Sequence, residues 1–256
     1  METIIRRTRE LGTSAGVLLP KSWLNKEVAV SILLPKKEEI AKDIIKILIE
    51  KNLAKDAKGI YLVGSYARGD ADFNSDIDVL ILTGETNRIM EHENYEILLV
   101  SEENFSKNLA RSLNFISFLK EAETLFNEEL IEKYRNMKYK LNVQNHLKEI
   151  EEILKINKDS VNLCKNASEN VPDGIVYSIV LRLRELYLIK CLFLKKNYSK
   201  SEFVKIVGEK AYNSYNIVKI KQKEANELSP NEVIPLLDLS EKWLKELRGQ
   251  KKELRV

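Results

Sequence analysis

Apolar and polar positions follow three different rhythms along this chain. In residues 1–34, short apolar clusters at Ile4-Ile5, Val17-Leu18-Leu19 and Val28-Ala29-Val30 are separated by Gly12-Thr13-Ser14 and by Pro20-Lys21-Ser22-Trp23, a pattern that predicts short strands. From Pro35 the period becomes helical. Ile40, Ile44, Ile47 and Leu48 form one stripe of KKEEIAKDIIKILIEK, with the proline suited to a first helical turn and the stripe suited to packing on a sheet. Continuous apolar runs at residues 60–63, 77–82 and 95–100 then predict buried strands. Ser101 reads as a helix cap followed by the acids Glu102 and Glu103 and the apolar Phe105, Leu109 and Leu113, and Thr124-Leu125-Phe126 reads as a closing strand.

The third rhythm starts near Glu128 and is almost wholly helical. Leu141, Leu147, Ile150 and Leu154 recur at helical spacing, and Pro172-Asp173-Gly174 breaks the run. IVYSIVLRLRELYLIKCLFL is apolar nearly all round, the pattern of a central helix in a bundle. Ser199 with Glu202 and Ser229 with Glu232 have capping-box spacing, and Pro230 sits at a first helical position. The expected fold class is therefore an α/β (α+β) core with a small N-terminal β-hairpin module and a C-terminal all-α bundle. The expected boundaries are 1–34, 35–130 and 131–256.

The chemistry concentrates in IYLVGSYARGDADFNSDIDVLIL. Side chains alternate along a strand, so Asp76 and Asp78 point to one face while Ile77, Val79 and Ile81 point to the other. Two carboxylates held together repel unless a cation compensates them, and hard oxygen ligands suit magnesium, which shares the phosphate oxygens of its substrate. Gly64 permits close backbone approach, and the segment from Ser65 to Gly69 can open a short helix facing an anion. Phosphate at one end and metal at the other point to a nucleotide. Arg68 either contacts phosphate or pairs with Asp70 or Asp72 to shape the turn, and Tyr66 either stacks near the nucleotide or packs.

Gly64-Ser65 followed by Asp76-Ile77-Asp78, within GSYARGDADFNSDID, resembles the signature of the DNA polymerase beta-like nucleotidyltransferase superfamily in its small prokaryotic form. The resemblance implies that Gly64 and Ser65 bind the triphosphate, that Asp76 and Asp78 bind two Mg2+ ions, and that a third carboxylate comes from a neighbouring strand, with Arg68 the further nucleotide-binding candidate. Glu96 is the acid inside the next strand and is expected to be that ligand or the acceptor's base, with Asp70 and Asp72 as competitors. ATP is the expected triphosphate. The acceptor, whether protein, nucleic acid or small molecule, is not legible, because one motif serves many substrates.

Composition changes this picture little. The 256 residues carry a net charge of +3, too small to argue for non-specific nucleic-acid binding. The abundance of Lys, Glu and Ile suits either heat adaptation or a biased genome. The chain shows neither a signal-peptide core nor an apolar run of membrane-spanning length, so a cytoplasmic protein is expected. Cys164 and Cys191 read as reduced core residues, and His92 and His146 as surface or packing residues.

Two further resemblances concern the flanks. LGTSAGVLLPKSWLNKEVAVSIL resembles the swapped-hairpin, AbrB-like modules of prokaryotic regulators, which implies a homodimerisation or docking hairpin, or DNA contact through Arg6, Arg7, Arg9 and Lys21. A regulatory or antitoxin-like protein, adenylylating a bound partner, is the alternative reading of the whole. The C-terminal helices are similar to the HEPN-like group. No histidine follows Arg182 or Arg184, so a scaffold or substrate-contacting role is expected with no ribonuclease activity. Tyr187, Tyr198, Tyr212 and Tyr215, interspersed with lysines, either line a cleft or belong to an ordinary helical surface.

Overall fold

The computed structural model describes residues 4–31, 33–72, 75–249 and 253–255, and the chain divides into two compact units, Met1–Leu34 and Pro35–Val256. Ile32 of the N-terminal segment and Phe73 and Asn74 of the acidic motif lie outside the described residues.

In the first unit, β1 (Arg9–Leu11) and β2 (Ser14–Gly16) pair antiparallel around a turn at Gly12, whose φ of 59° is one that glycine adopts without strain. The strands thus flank the expected turn, while the apolar clusters at Ile4-Ile5, Val17-Leu18-Leu19 and Val28-Ala29-Val30 form no strand. Their side chains have nothing to be buried against within so small a unit, so the apolar signal does not select the pairing. A short 3-10 turn at Lys21–Trp23 follows.

The second unit runs α1 (Lys37–Glu50), β3 (Ala57–Leu62), α2 (Gly64–Arg68), β4 (Ile77–Thr83), β5 (Arg88–His92), β6 (Tyr95–Ser101), α3 (Glu102–Leu109), α4 (Leu113–Glu121), β7 (Glu123–Phe126), α5 (Glu128–Arg135), β8 (Lys140–Asn142), α6 (Val143–Ala167), α7 (Asp173–Phe193), α8 (Lys200–Val207), α9 (Glu209–Lys219), α10 (Pro230–Arg248) and β9 (Glu253–Arg255). Five strands make a mixed sheet in the order β5-β6-β4-β3-β7. The β4·β6 pair is parallel and the others are antiparallel. It is a mixed α/β core, with a small hairpin before it and a helical region after it.

The two faces of the sheet bury against different partners. Ile77, Val79 and Ile81 point with Ile97 and Leu99 toward the α1 stripe of Ile40, Ile44, Ile47 and Leu48. Leu80, Leu82 and Val100 point the other way and share one continuous core with α3 to α10. By the same alternation, Asp78 and Glu96 lie on the face turned toward the C-terminal helices. The central α7 is the most buried helix, as its sequence foretells, with ten buried residues.

Several boundaries differ from expectation for local reasons. Leu141 lies in β8, paired with Leu254, and the helix starts at Val143 under an Asn142 cap. Ser229 and Glu232 form the reciprocal capping box. Ser199 does accept from Glu202 N, but the Glu202 carboxylate accepts instead from Tyr187 Oη at 2.8 Å. Both cysteines carry free thiols, Cys191 buried and Cys164 half-buried. His146 Nε2 meets the Arg111 carbonyl at 3.0 Å, a packing contact.

Candidate active site

The site grows from one turn and three strands. At the end of β3 the chain turns sharply into α2, with Gly64 at φ 70°. A Cβ there would collide with Asp78 Oδ2, so glycine is needed both for its backbone and for the space it leaves the carboxylate. Val63 N donates to the Asp78 carbonyl at 3.0 Å, tying the turn to the start of β4. Asp78 in turn pairs in register with Glu96 on the parallel β6. Across the β5·β6 hairpin, Glu96 pairs with Glu91.

Three acids therefore stand in one row across β4, β6 and β5, since laterally paired residues share a face. Glu91 is not among the sequence-predicted candidates. Its signal lies in the tight Glu93-Asn94 connection, which sets the register of the hairpin, with Glu93 at φ 53°. Asp76 falls just before β4 and is exposed, its carboxylate 3.4 Å from Lys219 Nζ of α9.

Burial, then the neighbouring Glu96 carboxylate, raise the Asp78 carboxyl to about 6. Lys219 and Arg184 oppose that shift, and Asp76 adds to it. Among the described residues no group of three or more His, Cys, Asp or Glu side chains is gathered closely enough to hold a metal ion. The donor set nevertheless fits a hard divalent cation: it is all oxygen, it is mutually repulsive, and Asp78 is partly stripped of water against Gly64.

The turn residues are engaged in ways that the motif alone does not reveal. Gly64 N donates to Glu121 Oε1 at 3.1 Å, and Arg68 Nη1 donates to Glu121 Oε2 at 2.7 Å. One carboxylate at the end of α4 thus grips both ends of α2. Arg68 Nε also donates to Asp70 Oδ2 at 3.3 Å, the shape-keeping alternative for this residue. Lys200 at the start of α8 donates from its backbone N to Asp70 at 3.3 Å and from Nζ to Asp72 at 2.7 Å. Asp70 and Asp72 therefore dock the helical region, whereas Glu96 is the acid in register with Asp78. Ser65 is half-buried, its carbonyl accepting from Asp70 N at 3.0 Å.

The profile of the nucleotidyltransferase domain family matches residues 41–180, more than half of the chain and the whole of this turn and sheet. The chain belongs to the nucleotidyltransferase domain family. A crystal structure of a nucleotidyltransferase-like protein from Exiguobacterium sibiricum aligns with 81% of this chain and 75% of its own, at 17% identity and a TM-score of 0.30. No curated protein matches the sequence. The matched span of the nucleotidyltransferase domain continues beyond the sheet through α6 and into α7, the helix that carries Arg184.

The tyrosines of the helical region divide between packing and the cleft. Tyr187 is buried, stacking against Phe203 and Trp243. Tyr198 meets two guanidinium groups, with Arg68 at 5.0 Å and Arg184 at 5.6 Å from its ring centroid. Among the described residues no helix is long and apolar enough to cross a membrane.

Proposed function

We propose that this nucleotidyltransferase moves a nucleoside monophosphate from a triphosphate, ATP being the expected one, to an acceptor hydroxyl with release of pyrophosphate. The observation that carries the reading is the register of Asp78 and Glu96 on adjacent parallel strands beside the Gly64 turn. Asp76 and Asp78 would hold magnesium, and Glu96 would complete the set or take the acceptor's proton. Magnesium bound there would neutralise phosphate charge and make the acceptor hydroxyl easier to deprotonate. Gly64 and Ser65 bring the backbone up to the phosphates, and residues 131–256 form the opposite wall, where the acceptor is chosen.

Calorimetric titration of ATP, GTP, CTP and UTP with magnesium tests this without knowledge of the acceptor. The wild-type chain is expected to bind at least one triphosphate in a metal-dependent way. Asp78→Asn should abolish that binding, and Glu96→Gln should abolish turnover once an acceptor is found. Equal binding by wild type and Asp78→Asn, or no binding of any triphosphate, would refute the assignment.

A further inference from the structure

The donors that the motif offers a phosphate are partly spent. Gly64 N–H and the Arg68 guanidinium are both held by Glu121, and Arg68 by Asp70 as well. The carboxylates of the sheet repel a polyanion unless cations stand between. The phosphate chain needs positive charge from elsewhere, and the helical region presents it.

Arg184 on α7 donates from Nη1 to Tyr215 Oη at 3.1 Å and faces the Tyr198 ring, two neutral partners. Among the described residues it makes no ion pair with a carboxylate, whereas neighbouring Arg182 pairs with Glu185 at 2.9 Å. Tyr215 is fixed in turn by stacking on Tyr177 at 5.1 Å and on Tyr212 at 5.6 Å. The guanidinium is thus braced by aromatic side chains, and the Tyr198 ring that it faces is shared with Arg68 of the turn. At the last turn of α9, Lys219 reaches Asp76 through a half-exposed pair, the weak kind that exchanges partners readily.

We propose that Arg184 and Lys219 bind the phosphate chain of the nucleoside triphosphate, Lys219 leaving Asp76 as it does so. The inference rests on the nucleotidyltransferase reading above and adds the residues that receive the phosphates. Lys219 is then a placeholder: it neutralises Asp76 while the site is empty and hands that carboxylate to the metal when the substrate arrives. Metal and triphosphate therefore bind cooperatively.

The test is calorimetry of the full chain with magnesium-ATP and, separately, with magnesium tripolyphosphate, which has no base or ribose. Arg184→Gln and Lys219→Gln should each weaken both ligands about tenfold or more, the effect of one charge-assisted contact. Lys210→Gln, on the same helix but paired with Glu232 at 2.9 Å, should bind like wild type. Arg184→Lys should recover part of the loss. Lys219 is half-exposed, so its variant keeps the test sound even if Arg184→Gln fails to fold. Wild-type affinity in the folded variants, with binding lost in Asp78→Asn, would overturn the inference while leaving the nucleotidyltransferase reading intact. Weaker ATP binding with unchanged tripolyphosphate binding would also overturn it, placing the two residues at the base or ribose. If the wild-type chain binds neither ligand, the parent reading fails and this one with it.

Discussion

Asp78 shows what a buried carboxylate does to the protein that carries it. Its carboxyl is raised to about 6 because burial and Glu96 disfavour the charge. The folded chain therefore holds that proton more tightly than the unfolded chain, where the value is 3.8. Stability must fall as pH rises from there through about 6, and above 6 the whole cost is present. Asp78→Asn removes the charge without changing the shape. In metal-free buffer at pH 8 it should stabilise the chain by on the order of 1–3 kcal/mol, and near pH 4 the gain should vanish. Thermal melting of both proteins at the two pH values checks this, and magnesium should raise the midpoint of wild type only. Equal midpoints at pH 8 would mean that the carboxylate is at ease without a cation, and the metal assignment would lose its physical basis.

The elements that build the site are held by one contact from outside the motif. Glu121 ends α4, is almost buried, and joins Gly64 N to Arg68 across α2. Glu121→Ala would leave a largely buried guanidinium with only Asp70 and the face of Tyr198, and a backbone N–H with no acceptor. It should cost about 2–4 kcal/mol in urea unfolding and loosen the turn enough to weaken magnesium-ATP binding. Normal stability in that variant would mean that α2 is held by its neighbours alone. Sequence could not supply Glu121, because nothing local distinguishes it from the other acids of a helix end and its partners lie more than fifty residues upstream. Strands β3, β4, β6 and β7 and helix α1 were legible because burial on one or both faces stamps a period on the chain, whereas the hairpin strand β5 was not. Glu96 was legible by the same logic, as the sole acid inside a buried run. Glu91 needed the hairpin register, and Arg184, proposed above for the phosphates, needed the tertiary meeting of α7 with Tyr198 beside Arg68. The capping box at Ser229 was legible in full, yet Glu202, with the same spacing, was drawn away by Tyr187.

At the scale of the whole molecule the two units pose opposite problems. The unit Pro35–Val256 buries one face of its sheet and the helical region in a single continuous core, so Arg184 and Lys219, proposed above for the phosphates, stand on elements packed into the same core as the sheet. The unit Met1–Leu34 has no buried side chain among its described residues, and Leu24 and Val30 are 71% and 73% exposed. Strands of three residues cannot hold such a segment by themselves. Its apolar side chains call for a surface, and a second copy of the same hairpin offers one of matching chemistry. Deleting residues 1–34 should therefore convert a dimer into a monomer in sedimentation equilibrium, with the melting midpoint of the remainder unchanged to within about 2 °C. A monomer both before and after deletion would remove dimerisation from the account. Arg6, Arg7 and Arg9 would then be the features left to explain, and a salt-dependent shift of duplex DNA that disappears in Arg6→Ala/Arg7→Ala would assign the segment to nucleic acid. The dimer is the expected result because the apolar exposure needs covering at any salt concentration, whereas three arginines on a solvated segment are stable as they stand.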